Sequence, residues 1–109
     1  MLKFTEQSKY DLASILAGLY SFRIGGSVDP SLTQEHAEAI FKDIARSFAV
    51  IPNLPYHQRN TFQGLERYGE FVYSYRRNHT NWYAFYDRAG DDFVVSRVDN
   101  NWHIRLPRL

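Results

Sequence analysis

Apolar positions follow a helical period in the first half of the chain and an alternating one in the second. Leu2-Lys3-Phe4 alternates and predicts a short opening strand. Thr5 stands where a helix N-cap is expected, with Glu6 in the first turn facing the positive end of the helix dipole. Leu12, Ile15, Leu16 and Leu19 recur at i, i+3, i+4 and i+7. That stripe predicts an amphipathic helix over residues 6–24, stopped by Gly25-Gly26. After the turn cluster Ser27-Val28-Asp29-Pro30, Ser31-Leu32-Thr33-Gln34 has capping-box spacing. Ala37, Ile40, Phe41, Ile44, Ala45 and Phe48 then hold helical register, predicting a second helix over residues 33–49 that Pro52 and Pro55 end.

From Tyr56 the texture changes. Residues 57–64 are polar and loop-like, and β-branched and aromatic residues dominate thereafter. Phe71–Arg76, Trp82–Tyr86 and Phe93–Val98 read as three strands, broken by Asn78-His79-Thr80-Asn81 and Arg88-Ala89-Gly90-Asp91. Trp102–Leu109 could add a short strand or an arm. The order β-α-α-β-β-β predicts an α+β fold, a helical hairpin on one face of a mostly antiparallel sheet. Expected core residues are Leu12, Ile15, Leu16, Leu19, Ile40, Phe41, Ile44, Phe48, Phe85 and Val95. The strands are aromatic on both alternations: Phe71, Tyr73 and Tyr75 against Val72, Ser74 and Arg76, and Trp82, Ala84 and Tyr86 against Tyr83 and Phe85. One set belongs to the core. The other is expected to form an open, aromatic, arginine-flanked face.

The length of 109 residues fits one domain over 1–109, and 44% apolar residues suffice for one core. The absence of cysteine excludes disulfides, a thiol nucleophile and thiolate-ligated metal, and agrees with a reducing cytoplasm. No apolar run is long enough to cross a membrane, and the polar opening predicts no signal peptide. Thirteen basic side chains nearly balance twelve acidic ones, but residues 56–109 carry eight basic against six acidic groups and twelve of the eighteen aromatics. That half suits nucleic acid or an acidic partner.

His36, His57, His79 and His103 lack metal-ligand spacing, so they read as solvated or capping histidines and no metal or cofactor is expected. Asp87, Asp91 and Asp92 read as solvated turn residues. No serine lies in a nucleophile elbow, and Gly25-Gly26 lacks the lysine and spacing of a phosphate loop. Arg76 and Arg77 must point to opposite faces of a strand, so one of them shares the open face with aromatic rings. Arginine binds phosphate bidentately and stacks on bases, although the same charge could simply protect a sheet edge. Arg97 interrupts an apolar strand, as either its end or a cation on that face.

The chain resembles the RelE/ParE superfamily of type II toxin–antitoxin toxins. The likeness lies in the opening Leu2–Leu12, in the helix exit Ile51-Pro52-Asn53-Leu54-Pro55, and in Tyr75-Arg76, Trp82–Tyr86 and Phe93–Val98 as closing strands. It implies a cytoplasmic toxin neutralised by a small, partly disordered antitoxin encoded next to it. RelE-like members cut mRNA on the ribosome; ParE-like members poison DNA gyrase without catalysis. Metal-free RNA cleavage needs an acid, a base and cations around the phosphate. For the nuclease branch the resemblance therefore implies Arg76, Arg77, Arg97 and His103 as the candidate catalytic set, His103 being the credible proton carrier. Arg59, Arg67, Tyr75, His79 and Arg105 are the candidates for binding RNA or another target. Arg76 matches a basic residue of the nuclease branch. Tyr83 stands where that branch has arginine, Asn100 near its second arginine and Leu106 near its terminal tyrosine. Ser96-Arg97-Val98 resembles the last strand of ParE-like members. Expected partners are therefore the antitoxin, together with the ribosome and mRNA or with gyrase. A relic that binds only its antitoxin is the remaining alternative.

Overall fold

A computed structural model describes residues 1–20, 30–77 and 80–101, with backbone only at 18–20, 30–34 and 36. The glycine stop, His79 and the whole of Trp102–Leu109 lie outside what is described, as do the side chains of the capping-box residues 31–34. The elements run β1 (Leu2–Phe4), α1 (Glu6–Tyr20), α2 (Pro30–Phe48), β2 (Phe71–Arg77), β3 (Thr80–Ala89) and β4 (Asp92–Asn100). Two short 3-10 turns, Ile51–Asn53 and Glu66–Tyr68, lie between α2 and β2. The sheet order is β1-β4-β3-β2, antiparallel except where β1 lies parallel to β4. No helix among the described residues is long and apolar enough to cross a membrane.

Thr5 caps α1 as the sequence suggests. Its hydroxyl accepts the Ser8 N–H at 3.2 Å and donates to the Ser96 carbonyl, while its own N–H donates to Val95 O. One residue thus ends β1, starts α1 and docks both on β4. Strands β3 and β4 are longer than the periodicity predicts, because pairing runs to Arg77↔Thr80 at one hairpin and Ala89↔Asp92 at the other. Thr80, Asn81, Arg88 and Ala89 are therefore strand residues, and Gly90 (φ +64°) opens a two-residue turn.

Strand β4 carries a bulge. Phe85 faces Arg97 whereas the next residue, Tyr86, faces Val95, leaving Ser96 as the extra residue. The bulge shifts the alternation, so Phe93, Val95 and Val98 all enter the core while Arg97 turns to the other face. The main core lies between the sheet and the helices: Ile15, Ile44, Phe48, Ile51, Trp82, Ala84, Tyr86, Phe93, Val95 and Val98. Leu12 and Ile40 flank it half-buried, and Phe41 is half-buried outside it.

The expected open face is covered in part: Val72, Tyr83 and Phe85 form a second buried cluster under Phe62, Leu65 and Tyr68, while Ser74 and Arg76 stay exposed. Phe62 comes from the stretch that reads as polar loop, and Leu65 and Tyr68 follow directly after it. Asn60 closes that stretch on itself: its amide nitrogen donates to the Leu65 and Gly69 carbonyls, and its Oδ1 accepts the Phe62 N–H. The segment also extends the sheet edge for two residues, through Val72 N–H to Gln58 O and Asn60 N–H to Glu70 O. Burying the aromatic floor is more favourable than hydrating it, and a compact loop satisfying its own polar groups achieves this at small cost.

Candidate functional site

Cross-strand register sorts the arginines. Val72, Ser74 and Arg76 share one face with Phe85, Tyr83 and Asn81, and this face continues onto Arg97 and Asp99 of β4. Arg77 lies on the opposite face, where it pairs with Asp43 of α2. Arg76 and Arg97 share a face but stand two strands and two side-chain rows apart. At ordinary strand spacings that separates their Cα atoms by roughly 17 Å.

Arg97 is engaged by two elements. Its guanidinium sits 4.5 Å above the Tyr68 ring, and its Nε donates to Asp11 Oδ2 at 2.9 Å. The same carboxylate oxygen accepts the Val98 N–H at 3.0 Å, and Asp11 Oδ1 accepts from Gln7. Asp11 is 8% exposed. A buried carboxylate needs such donors, and here they come from the edge that β4 leaves open beyond the end of β1. Among the described residues, Arg97 is thus an element of the fold's lateral closure.

The other candidates are scattered. Arg76 is exposed, in register with Asn81, which pairs in turn with Asn101 where the chain runs on to Trp102. Arg59 bridges to Glu70 at 3.0 Å and lies over Phe71. Arg67 is exposed on the second 3-10 turn. Tyr75 packs half-buried against the main core, on the helix side of the sheet. His79, His103 and Arg105 are outside the described residues. Two of the turn aspartates do more than meet solvent: Asp87 accepts the Glu70 N–H, and Asp92 pairs with Lys3 and the Met1 amine. Lys3 chiefly, through its hydrogen bond, holds the Asp92 carboxyl below its ordinary range.

Sequence reasoning missed two clusters. Asp11 and Ser8 fall on the same helical stripe as Ile15, and this polar interruption of a buried face is the signal that marks them. His57 carries no comparable signal. Far from being solvated, it stacks on Phe93 at 4.8 Å, lies against Phe71 and Tyr86, and shares a 2.6 Å hydrogen bond between Nδ1 and the Tyr86 hydroxyl. Burial pushes the Tyr86 phenol up to about 12. Since an exposed tyrosine ionises near pH 10, the fold favours the protonated form. Its contribution is whole below pH 10 and is lost as pH rises through 12. Alkaline titration followed by circular dichroism should show wild type losing about 2 kcal/mol across that window through this group. Tyr86→Phe should lose less over the same range.

No family model matches the chain, and no curated protein matches it. Among solved structures, a chain of the chromosomal ParDE TA system from P. aeruginosa superposes with a TM-score of 0.61. The match covers 90% of this chain and 91% of that one, at 17% identity. The chain shares the α+β fold of that ParDE chain. Within that fold the opening strand, helical hairpin and closing three-stranded meander stand in the order that the sequence resemblance implies.

Proposed function

We propose that the chain is the toxin of a toxin–antitoxin module, acting in the cytoplasm and neutralised by an adjacently encoded antitoxin, and that it acts by binding a protein target. The ParE-like resemblance supports DNA gyrase as that target. The fold shared with a ParDE chain supports the toxin reading. The observation that carries the binding mode is the state of Arg97. Its Nε–H is taken by Asp11 and one face of its guanidinium by Tyr68, and it stands far from Arg76. A metal-free nuclease needs its cations gathered around one phosphate. Arg77, paired with Asp43 on the far face, does not join them.

The second reading is ribosome-dependent mRNA cleavage. It is favoured by Arg76, exposed at the end of the sheet from which the chain continues toward His103 and Arg105. Induction of the chain in bacteria separates the two. Gyrase poisoning predicts a DNA-damage response with translation continuing, and inhibition of purified gyrase by the purified chain. Messages cut within ribosomes, with gyrase unaffected, would replace the first reading with the second. Co-expression of the neighbouring reading frame should relieve growth arrest in either case. If no neighbouring product binds the chain, the module assignment fails.

A further inference from the structure

We infer that Arg97 is a strap that lets α1 govern the opening of the loop covering the second face. The loop, residues 61–68, rests on Val72, Tyr83 and Phe85 through Phe62, Leu65 and Tyr68. Phe62 stands edge-on to Tyr83 and Phe85, and Tyr68 edge-on to Phe85. At its near end the loop is tied to the sheet by hydrogen bonds through Gln58 and Asn60. Its far flank is clamped by the Arg97 guanidinium over the Tyr68 ring.

That guanidinium is aimed by a residue that is not part of the loop. Asp11 accepts a hydrogen bond from the Arg97 Nε–H, and Gln7 in turn donates to Asp11, so the strap is anchored on α1. A cation held by a carboxylate at one edge presents its flat face steadily to a ring; released, a long side chain samples many rotamers. Asp11 therefore acts on the loop through Arg97, across the edge of β4. Beneath the loop lies an apolar aromatic floor that opening would expose. The position of α1 consequently sets how often that floor meets solvent. This inference rests on geometry and stands whichever target the chain has.

The chain contains no cysteine, so a single introduced thiol is an unambiguous reporter. Val72→Cys places one beneath the loop, and Ala84→Cys places another in the main core. Thiol labelling of the purified full chain then reads local and global opening separately. Asp11→Asn keeps an oxygen for the Val98 N–H but weakens the hold on Arg97. It should speed labelling at position 72 about fivefold to tenfold, with position 84 unchanged. Tyr68→Phe keeps the ring face and should label at position 72 like wild type. Tyr68→Leu removes it and should label faster. Equal acceleration at both positions would mean that Asp11 merely stabilises the whole chain, and would overturn the strap. So would unchanged labelling at position 72 in Asp11→Asn, or a Tyr68→Phe variant as fast as Tyr68→Leu.

Discussion

Phe48→Ala should destabilise the protein by about 3–5 kcal/mol. Phe48 is fully buried at the C-terminal end of α2, in one cluster with Ile44 and Ile51, and stands edge-on to Tyr73 at 6.2 Å. Alanine would remove the ring's transfer free energy and leave a cavity whose walls belong to three elements: α2, the 3-10 turn that follows it, and β2. A wall assembled from separate elements relaxes poorly, which puts the cost toward the upper end of that range. Phe41, equally apolar in the sequence pattern, is half-buried outside the cluster. Its alanine variant should therefore cost about 1 kcal/mol, in keeping with the smaller area lost. Urea unfolding followed by tryptophan fluorescence would measure both, since Trp82 lies in the core that Phe48 helps to form. Equal costs would show that helical period alone, rather than the packing of α2 against the sheet, decides burial here.

That contrast also marks how far the sequence could be read. Periodicity finds α2 because Ile40, Ile44 and Phe48 recur along one stripe. It cannot separate Phe41 from them, because a stripe wide enough for a core includes neighbours whose burial depends on the crossing angle with the sheet. The strands were legible from alternation, and the short hairpins from their turn residues. The bulge at Ser96 was not. An extra residue breaks period two locally, so Arg97 reads as either the strand's end or a cation on the other face; it lies on that face, and the strand continues to Asn100.

The covered face was illegible for a different reason. Phe62, Leu65 and Tyr68 lie among glycine, glutamine and glutamate, and nothing local says that they meet Phe85 across the sheet. The organising residue, Asn60, works through hydrogen bonds that fix a loop's shape without any hydrophobic period. The candidate site shows the same division. Alternation placed Arg76 and Arg77 on opposite faces. The engagement of Arg77 and Arg97 depends on carboxylates far away in sequence: Asp43, 34 residues from Arg77, and Asp11, 86 residues from Arg97. A lone arginine in a strand announces a need for a partner, and only the fold supplies it. Counting arginines therefore overstates the basic surface available to RNA, and that difference shifts the proposed function toward target binding.

Gly69→Ala should be about as damaging as Phe48→Ala despite adding one methyl group, at about 3 kcal/mol or more. Gly69 is buried where the chain returns from the covering loop to enter β2, and its carbonyl is held by the Asn60 side chain. A Cβ there would lie 2.8 Å from the Tyr86 nitrogen, 3.0 Å from the Tyr86 oxygen and 3.1 Å from the Phe85 carbonyl carbon. All three are backbone atoms of β3, so no side-chain rotation relieves the clash. The chain must instead move off the strand, loosening Phe71 and Val72 from Tyr86 and Phe85 and lifting the loop behind them. Gly64 provides the control. Its φ of +81° also favours glycine, but a Cβ there meets nothing within 4 Å. Gly64→Ala should cost only the left-handed conformation, about 1 kcal/mol. Thermal unfolding of the two variants separates steric contact from backbone preference. If Gly64→Ala and Gly69→Ala lose equal stability, close approach to β3 is not what reserves position 69 for glycine. If Gly69→Ala alone collapses, with the thiol at position 72 labelling freely, that approach is what seats the covering loop.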